Sequence, residues 1–442
     1  MKKILITFLF STIYISLVAQ QNTVFLKGQL KNFSNQVEVE DLSDLQYLLP
    51  ASPERIIIPD TAGKFSIRFK LESPNYFRIG RNILYLTPGD QMEVFIDKNS
   101  PSSGRFTGKG AAANLYLRGT PFPKAGSFVE AGRKLQKTAK ATIDTILQMA
   151  SVRGEELKKV TGTSKEFVRL ETARVRADLI NSLLAAQQSY KPRMSADSLA
   201  VYNNEYKELV MPLLDKYAAG FLDASYMKLV VYRDIAELVL KNGGNEKDAV
   251  QIREWMKSTA LVNEMKKTSD KNQLSGYTSQ INEIKTPSYK NAVKMSQGNL
   301  LKFGKGDKAI DFTAVDLSGK KVKLTSLKGK VIYVDLWATW CGPCLAEMPH
   351  YDELKNKYKA NPDIAFVSLS IDDGVELWKK NVNARNADGI QWQINRNALT
   401  DYDIVTIPRS FLINKNFEVV DINAPVPSAK ELPAMIDNLL KQ

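Results

Sequence analysis

Cys341 and Cys344 are the only cysteines in the 442-residue chain, and only Gly342 and Pro343 separate them. Two thiols at this spacing can close into a disulfide and reopen without refolding anything. They follow the apolar run Val331-Ile332-Tyr333-Val334-Asp335-Leu336-Trp337 and open a predicted helix, Gly342 to Tyr358. A pair so placed is a redox centre. As a staple it would be poor, because closing so short a loop removes little unfolded-chain entropy. Secreted proteins with structural disulfides usually carry several well-separated cysteines. A zinc site needs about four ligands. With two Cys and one His (His350) the soft ligands run out, so no metal is expected. No cofactor is expected beyond the redox-active disulfide itself.

The thiolate, not the thiol, attacks a disulfide. Cys341 falls at a predicted helix N-terminus, where unpaired N–H groups and the helix dipole favour negative charge. Such a site lowers a cysteine pKa from about 8.5 towards about 7 or below. Cys341 is therefore the expected nucleophile and Cys344, one turn deeper, the resolving thiol. Asp335 lies on the preceding strand. A carboxylate buried there has a raised pKa and can take the proton from Cys344; the plainer reading is a satisfied strand-end acid. Glu347 lies one turn after Cys344 and faces the same side; it could equally be a solvated helix residue. Trp340 and Trp337 would frame the site, with Trp337 mostly core. Helical spacing puts His350 off the dithiol face.

Around this centre, residues 303–442 alternate strands and helices. Asp311 to Val315 and Lys321 to Leu324 are predicted to form a hairpin. Strands are predicted at Val331 to Leu336 and Ile364 to Ile371, and a helix at Val375 to Asn386. Ser410 to Ile413 and Phe417 to Ile422 make a second hairpin, and Ala429 to Leu440 a final helix. That order predicts an α/β domain with a mixed sheet flanked by helices. Residues 22–108 read as a small all-β sandwich-like domain, from runs such as Thr23 to Leu26, Arg55 to Ile58, Lys64 to Phe69 and Met92 to Ile96. Residues 111–300 read as all-α, with helices at Phe167 to Gln188, Ser198 to Ala219 and Met227 to Lys241. Thr163 and Glu166 have the spacing of a capping box.

Residues 1–20 form a separate object. Lys2 and Lys3 precede an uncharged, largely apolar stretch that ends at Val18-Ala19-Gln20. This is the pattern of a cleaved signal peptide, with an uncleaved membrane anchor as the alternative. No cysteine near the cleavage region could carry a lipid. The expected location is periplasmic or otherwise exported. The net charge of +13 falls to +11 without the leader. Its Lys and Arg are interspersed with Asp and Glu, with no basic block, which predicts a solvated basic surface and no nucleic-acid partner.

Trp-Cys-Gly-Pro-Cys after an apolar strand, with Ile407-Pro408 downstream, resembles the thioredoxin superfamily. Gly306 to Phe312, Leu324 to Lys328, Cys344-Leu345-Ala346-Glu347-Met348-Pro349 and the insert between Ile371 and Ile404 resemble its secreted TlpA/ResA-type thiol–disulfide oxidoreductases. The resemblance covers residues 303–442. It implies that Asp335 matches the buried acid of thioredoxin and Glu347 the active-site Glu of the ResA type. It implies a cis Ile407–Pro408 bond packed over the dithiol, with Ile407 pairing to an extended substrate. Trp340, Gly342, Pro343, Ile407 and Pro408 then make the substrate-binding edge. The thioredoxin position for a lysine partner of the buried acid is Ser368 here, so Glu347 is expected to carry more of the proton handling.

These readings point to an exported enzyme that reduces protein disulfides. Its partners would be disulfide-containing exported proteins and a membrane-embedded thiol reductase that supplies electrons. A thiol peroxidase is an alternative, opposed by Ala338 where such enzymes carry Thr or Ser. A partner-binding scaffold with an auxiliary redox site is another.

Overall fold

The computed structural model describes residues 22–33, 36–49, 52–119, 128–130, 133–188, 195–268, 270–372, 374–402, 404 and 407–442. The leader-like residues 1–20 lie outside them. The chain divides into two compact units between Lys257 and Ser258.

In the first unit, Thr23–Lys31 pairs antiparallel with Lys64–Lys70 and parallel with Gln91–Asp97, and Arg105–Lys109 lies beyond the latter. Side chains alternate across a strand, so Val24, Leu26, Phe65, Phe69, Met92 and Val94 share one apolar core. Gly28 has a φ of +148°, and a Cβ there would lie 1.8 Å from the carbonyl oxygen of Val94. Only glycine lets the two strands approach so closely. Asn75–Ile79 and Asn82–Leu86 form a hairpin absent from the sequence reading. The latter strand is buried at all five positions, so it lacks alternation.

The long helices of this unit are Ala139–Lys158, Lys165–Gln188 and Ala196–Ala218. At the start of the second, Ser164 takes the role expected of Thr163: its Oγ accepts from the Phe167 N–H at 3.1 Å. The helix predicted from Met227 to Lys241 is broken, because Leu229 is extended and Ile235 non-helical. The β region and the helices share a core in which Tyr76, Ile83 and Tyr85 pack with Phe167 and Leu170. There the Tyr76 hydroxyl donates to Glu171 at 2.7 Å.

The second unit runs from Ser258 to Gln442 and includes the helix Pro287–Leu300. Asn423 Nδ2 donates to the Lys266 carbonyl at 2.7 Å, tying this leading segment to the sheet. Among the described residues the sheet has seven strands, in the order Lys321–Lys323, Thr313–Asp316, Ile390–Gln393, Ile364–Ser370, Val331–Trp337, Arg409–Ile413 and Val419–Ala424. Val331–Trp337, the central strand, runs parallel to Ile364–Ser370 and antiparallel to Arg409–Ile413. It is buried on both faces, which explains its nearly unbroken apolar sequence. Val331 and Tyr333 meet Tyr351 and Leu354 of the helix Gly342–Lys357 and Leu432 and Ile436 of the helix Leu432–Leu440. Ile332, Val334 and Leu336 point the other way, into a core with Trp378 and Val382 of the helix Val375–Ala384.

Candidate active site

The central strand ends at Trp337, and four residues later Cys341 caps the helix Gly342–Lys357, here the redox helix. Cys341 has extended backbone angles, and its sulfur accepts from the Cys344 N–H at 3.2 Å. Pro343 sits in the first turn, where its missing N–H costs no hydrogen bond. The two cysteines form a disulfide with a Cα–Cα distance of 5.2 Å. Cys341 is 5% exposed and Cys344 1%, so both are buried and Cys341 is the nearer to solvent.

A carboxylate holds the loop before Cys341. Asp372, itself buried, accepts from the Thr339 N–H at 3.0 and 3.1 Å and from the Thr339 hydroxyl at 2.8 Å. Ser370 Oγ donates to the same carboxylate at 2.9 Å. Hydrogen bonds to an ionised acceptor are about twice as strong as neutral ones. Asp372→Asn replaces one acceptor oxygen with a donor and leaves a Thr339 donor unpaired. Urea unfolding should show a loss of about 1–3 kcal/mol; no loss would mean that the clamp contributes nothing.

Asp335 is 2% exposed and lies on the face of the central strand that the redox helix covers. Burial pushes its carboxyl up to about 7; the hydrogen bond from Ser410 opposes the shift, and the negative charge of Glu347 adds to it. Ser410 Oγ is 3.0 Å from Asp335 Oδ1. Across the sheet Asp335 lies opposite Ser368, which is buried and whose hydroxyl has no partner among the described residues. No lysine therefore occupies that register position. Glu347 is half-buried, and its two carboxylate oxygens accept from the N–H and the hydroxyl of Ser428, each at 2.9 Å.

The Ile407–Pro408 bond is cis. Leu336 pairs with Arg409, so the register carries Ile407 and Pro408 to the end of the sheet where the loop 338–341 begins. Ile407 packs against the cluster that contains both cysteines. Trp340 is 66% exposed, whereas Trp337 is fully buried with the Arg385 guanidinium 4.8 Å from its ring. His350 is half-exposed and lies 3.7 Å from Glu353, a surface position. The sequence reading missed Thr339, Asp372, Ser410, Tyr333 and Ser428. Only Asp372 left a trace, as an acid just past a buried strand.

A dithiol that caps a helix beside the central strand of a mixed sheet, with a buried acid on that strand and a cis-proline at its end, defines a thiol–disulfide oxidoreductase of the thioredoxin fold. Residues 304–439 match the Redoxin family. Over 120 residues the chain is 35% identical to the thiol-disulfide oxidoreductase ResA of Bacillus thuringiensis (strain Al Hakam), a match covering 26% of this chain and 67% of that protein. It is 28% identical over 136 residues to the thioredoxin-like protein YneN of Bacillus subtilis, covering 30% of this chain and 78% of YneN. Among solved structures, the thioredoxin domain of a thiol-disulfide oxidoreductase from Bacteroides vulgatus is 25% identical, with a TM-score of 0.28, covering 31% of this chain and 97% of that one. The chain belongs to the thioredoxin superfamily, in the ResA family of thiol–disulfide oxidoreductases.

Proposed function

We propose that this protein is exported and reduces disulfides of other exported proteins through Cys341 and Cys344. The observation that carries this reading is the Cys341 sulfur at the redox helix N-terminus, already accepting an N–H. In the reduced enzyme the same position favours the thiolate. Cys341 attacks one sulfur of the client disulfide, a mixed disulfide forms, and the client's other sulfur leaves as a thiolate. Asp335 takes the proton of Cys344. A buried carboxyl with a midpoint near 7 is matched to that task at neutral pH. The Cys344 thiolate attacks Cys341, the internal disulfide closes, and the second client thiol is released. Two electrons have passed from the dithiol to the client.

Trp340, Gly342, Pro343, Ile407 and Pro408 form the edge that receives the client, Trp340 offering exposed apolar surface and Ile407 its backbone to an extended segment. Glu347 adds negative charge near Asp335 and shares the proton handling. A membrane-embedded thiol reductase returns the electrons. The leader-like residues 1–20 support export. Among the described residues no helix is long and apolar enough to cross a membrane.

Equilibration with glutathione and dithiothreitol couples gives the midpoint potential of the pair. A reductant with Gly-Pro between its cysteines should fall near that of thioredoxin, about −270 mV; a value near that of a strong oxidant, about −120 mV, would reverse the assigned direction.

A further inference from the structure

The Tyr333 hydroxyl has one hydrogen and two acceptors at the same distance. Ser410 Oγ is 2.9 Å away and the Pro425 carbonyl oxygen is 2.9 Å away. Ser410 Oγ in turn lies 3.0 Å from Asp335 Oδ1. Asp335, Ser410, Tyr333 and Pro425 thus form an unbranched line, and its two hydroxyls can point either way. Ser410 and Tyr333 are both fully buried, so a hydrogen stranded in the line is costly.

We propose that Ser410 and Tyr333 are positioning residues forming a reversible hydroxyl relay, which turns with the protonation of Asp335 and reports it at the loop that holds Glu347. When Asp335 is ionised, Tyr333 donates to Ser410 and Ser410 donates to the carboxylate. When Asp335 is protonated, its O–H donates to Ser410, Ser410 donates to Tyr333, and Tyr333 donates to the Pro425 carbonyl. Every hydrogen in the line is paired in both states, and no bond other than hydrogen bonds changes. Pro425 lies three residues before Ser428, which holds both oxygens of Glu347. The loop gains a hydrogen bond when Asp335 is neutral and loses it on ionisation, so the two acids are linked through it.

Tyr333 itself stays protonated, because burial holds it well above the usual phenol range. The titratable groups that face Asp335 are Tyr333 on its own strand and Glu347 and Tyr351 on the redox helix. Among the described residues, its register partners on the neighbouring strands are Ser368 and Ser410. In the oxidised chain neither cysteine titrates, so that form removes the two thiols from the titration of Asp335.

The relay predicts opposite shifts from its two members. Ser410→Ala removes the donor to the carboxylate and raises the Asp335 midpoint. Tyr333→Phe leaves the ionised state fully paired but strands one hydrogen of the neutral state, so it lowers the midpoint. Each shift should be about one pH unit. The double variant should follow Ser410→Ala. Infrared titration of the oxidised full chain, carboxyl-labelled with carbon-13 at aspartate and assigned with Asp335→Asn, reads the midpoint. A fixed chain in which Ser410 always donates predicts that Tyr333→Phe leaves the midpoint unchanged or raises it; either result overturns the relay.

A second measurement needs no variant at Tyr333 or Ser410. With ring-labelled tyrosine, the C–O stretch of one tyrosine should shift at the Asp335 midpoint and stay still in Asp335→Asn; its absence from the unsubstituted chain also overturns the relay. The inference deepens the role proposed for Asp335 and rests on that reading only for its effect on exchange. If Asp335→Asn leaves exchange rates untouched, the proton-acceptor role fails while the relay stands.

Discussion

A Cys344→Ala chain, reduced and then offered oxidised client proteins, accumulates mixed disulfides through Cys341, and a Cys341→Ser chain forms none. The asymmetry follows from the helix start. Cys341 caps the redox helix, so its sulfur receives an N–H and the positive end of the dipole. Cys344 sits inside the first turn and, at 1% exposed against 5% for Cys341, is the more deeply buried of the two. In the proposed exchange its target is the neighbouring sulfur, which it meets at a high effective concentration. Without it, release depends on outside thiols at millimolar levels. Well-oriented intramolecular reactions have effective molarities of about 10⁵ M or more, so release should slow by at least a thousandfold. Non-reducing electrophoresis with mass spectrometry of the adducts reads the result directly. No adducts from a chain whose Cys341 still alkylates would remove the proposed exchange, and adducts through Cys344 in the Cys341→Ser chain would invert the roles.

Asp335→Asn should make the chain more resistant to urea at pH 8 than at pH 5, relative to the unsubstituted protein. The Asp335 carboxyl is raised from 3.8 in the unfolded chain to about 7 in the fold, chiefly by burial. Between those values the folded chain holds a proton that the unfolded chain has released. Stability therefore falls as pH rises through this window, and the penalty is complete above about 7. The full window is worth up to about 4 kcal/mol. Asparagine does not ionise, so the variant loses this slope even if its amide adds a constant offset. Urea midpoints measured on the oxidised forms at several pH values give the slope. Parallel curves for the two proteins would show that Asp335 is ionised in the fold throughout, and its part in proton transfer would go with that.

The dithiol and its strand were plain in the sequence because their evidence is local. Two cysteines at one spacing, an unbroken apolar run and a helix start lie within fourteen residues of one another. Ser410 and Tyr333 left no such trace. They are 77 positions apart, and each reads on its own strand as an ordinary β-sheet residue. Ser428 reaches Glu347 across 81 positions from a loop with no distinguishing pattern. The strand Ile390–Gln393 was missed because its glutamines break the apolar run. They are nevertheless buried: Gln393 donates to the Asp372 carbonyl at 2.6 Å and Gln391 to the Asp388 carbonyl at 2.9 Å. Burial of a polar residue depends on such distant partners, and hydrophobic periodicity does not encode them. Helix ends were close, but the cap at Ser164 rather than Thr163 shows how neighbouring hydroxyls compete for one position.

Of the five indoles, Trp337, Trp378 and Trp392 are shut inside the second unit and Trp255 is half covered. Trp340 alone stands mostly in water, one residue before Cys341. A water-exposed indole emits to the red of buried ones, so its emission should stand apart from the others and respond to the state of the neighbouring S–S bond. A change in that emission on reduction would make the indole a built-in lamp at the mouth of the site, read without any added label.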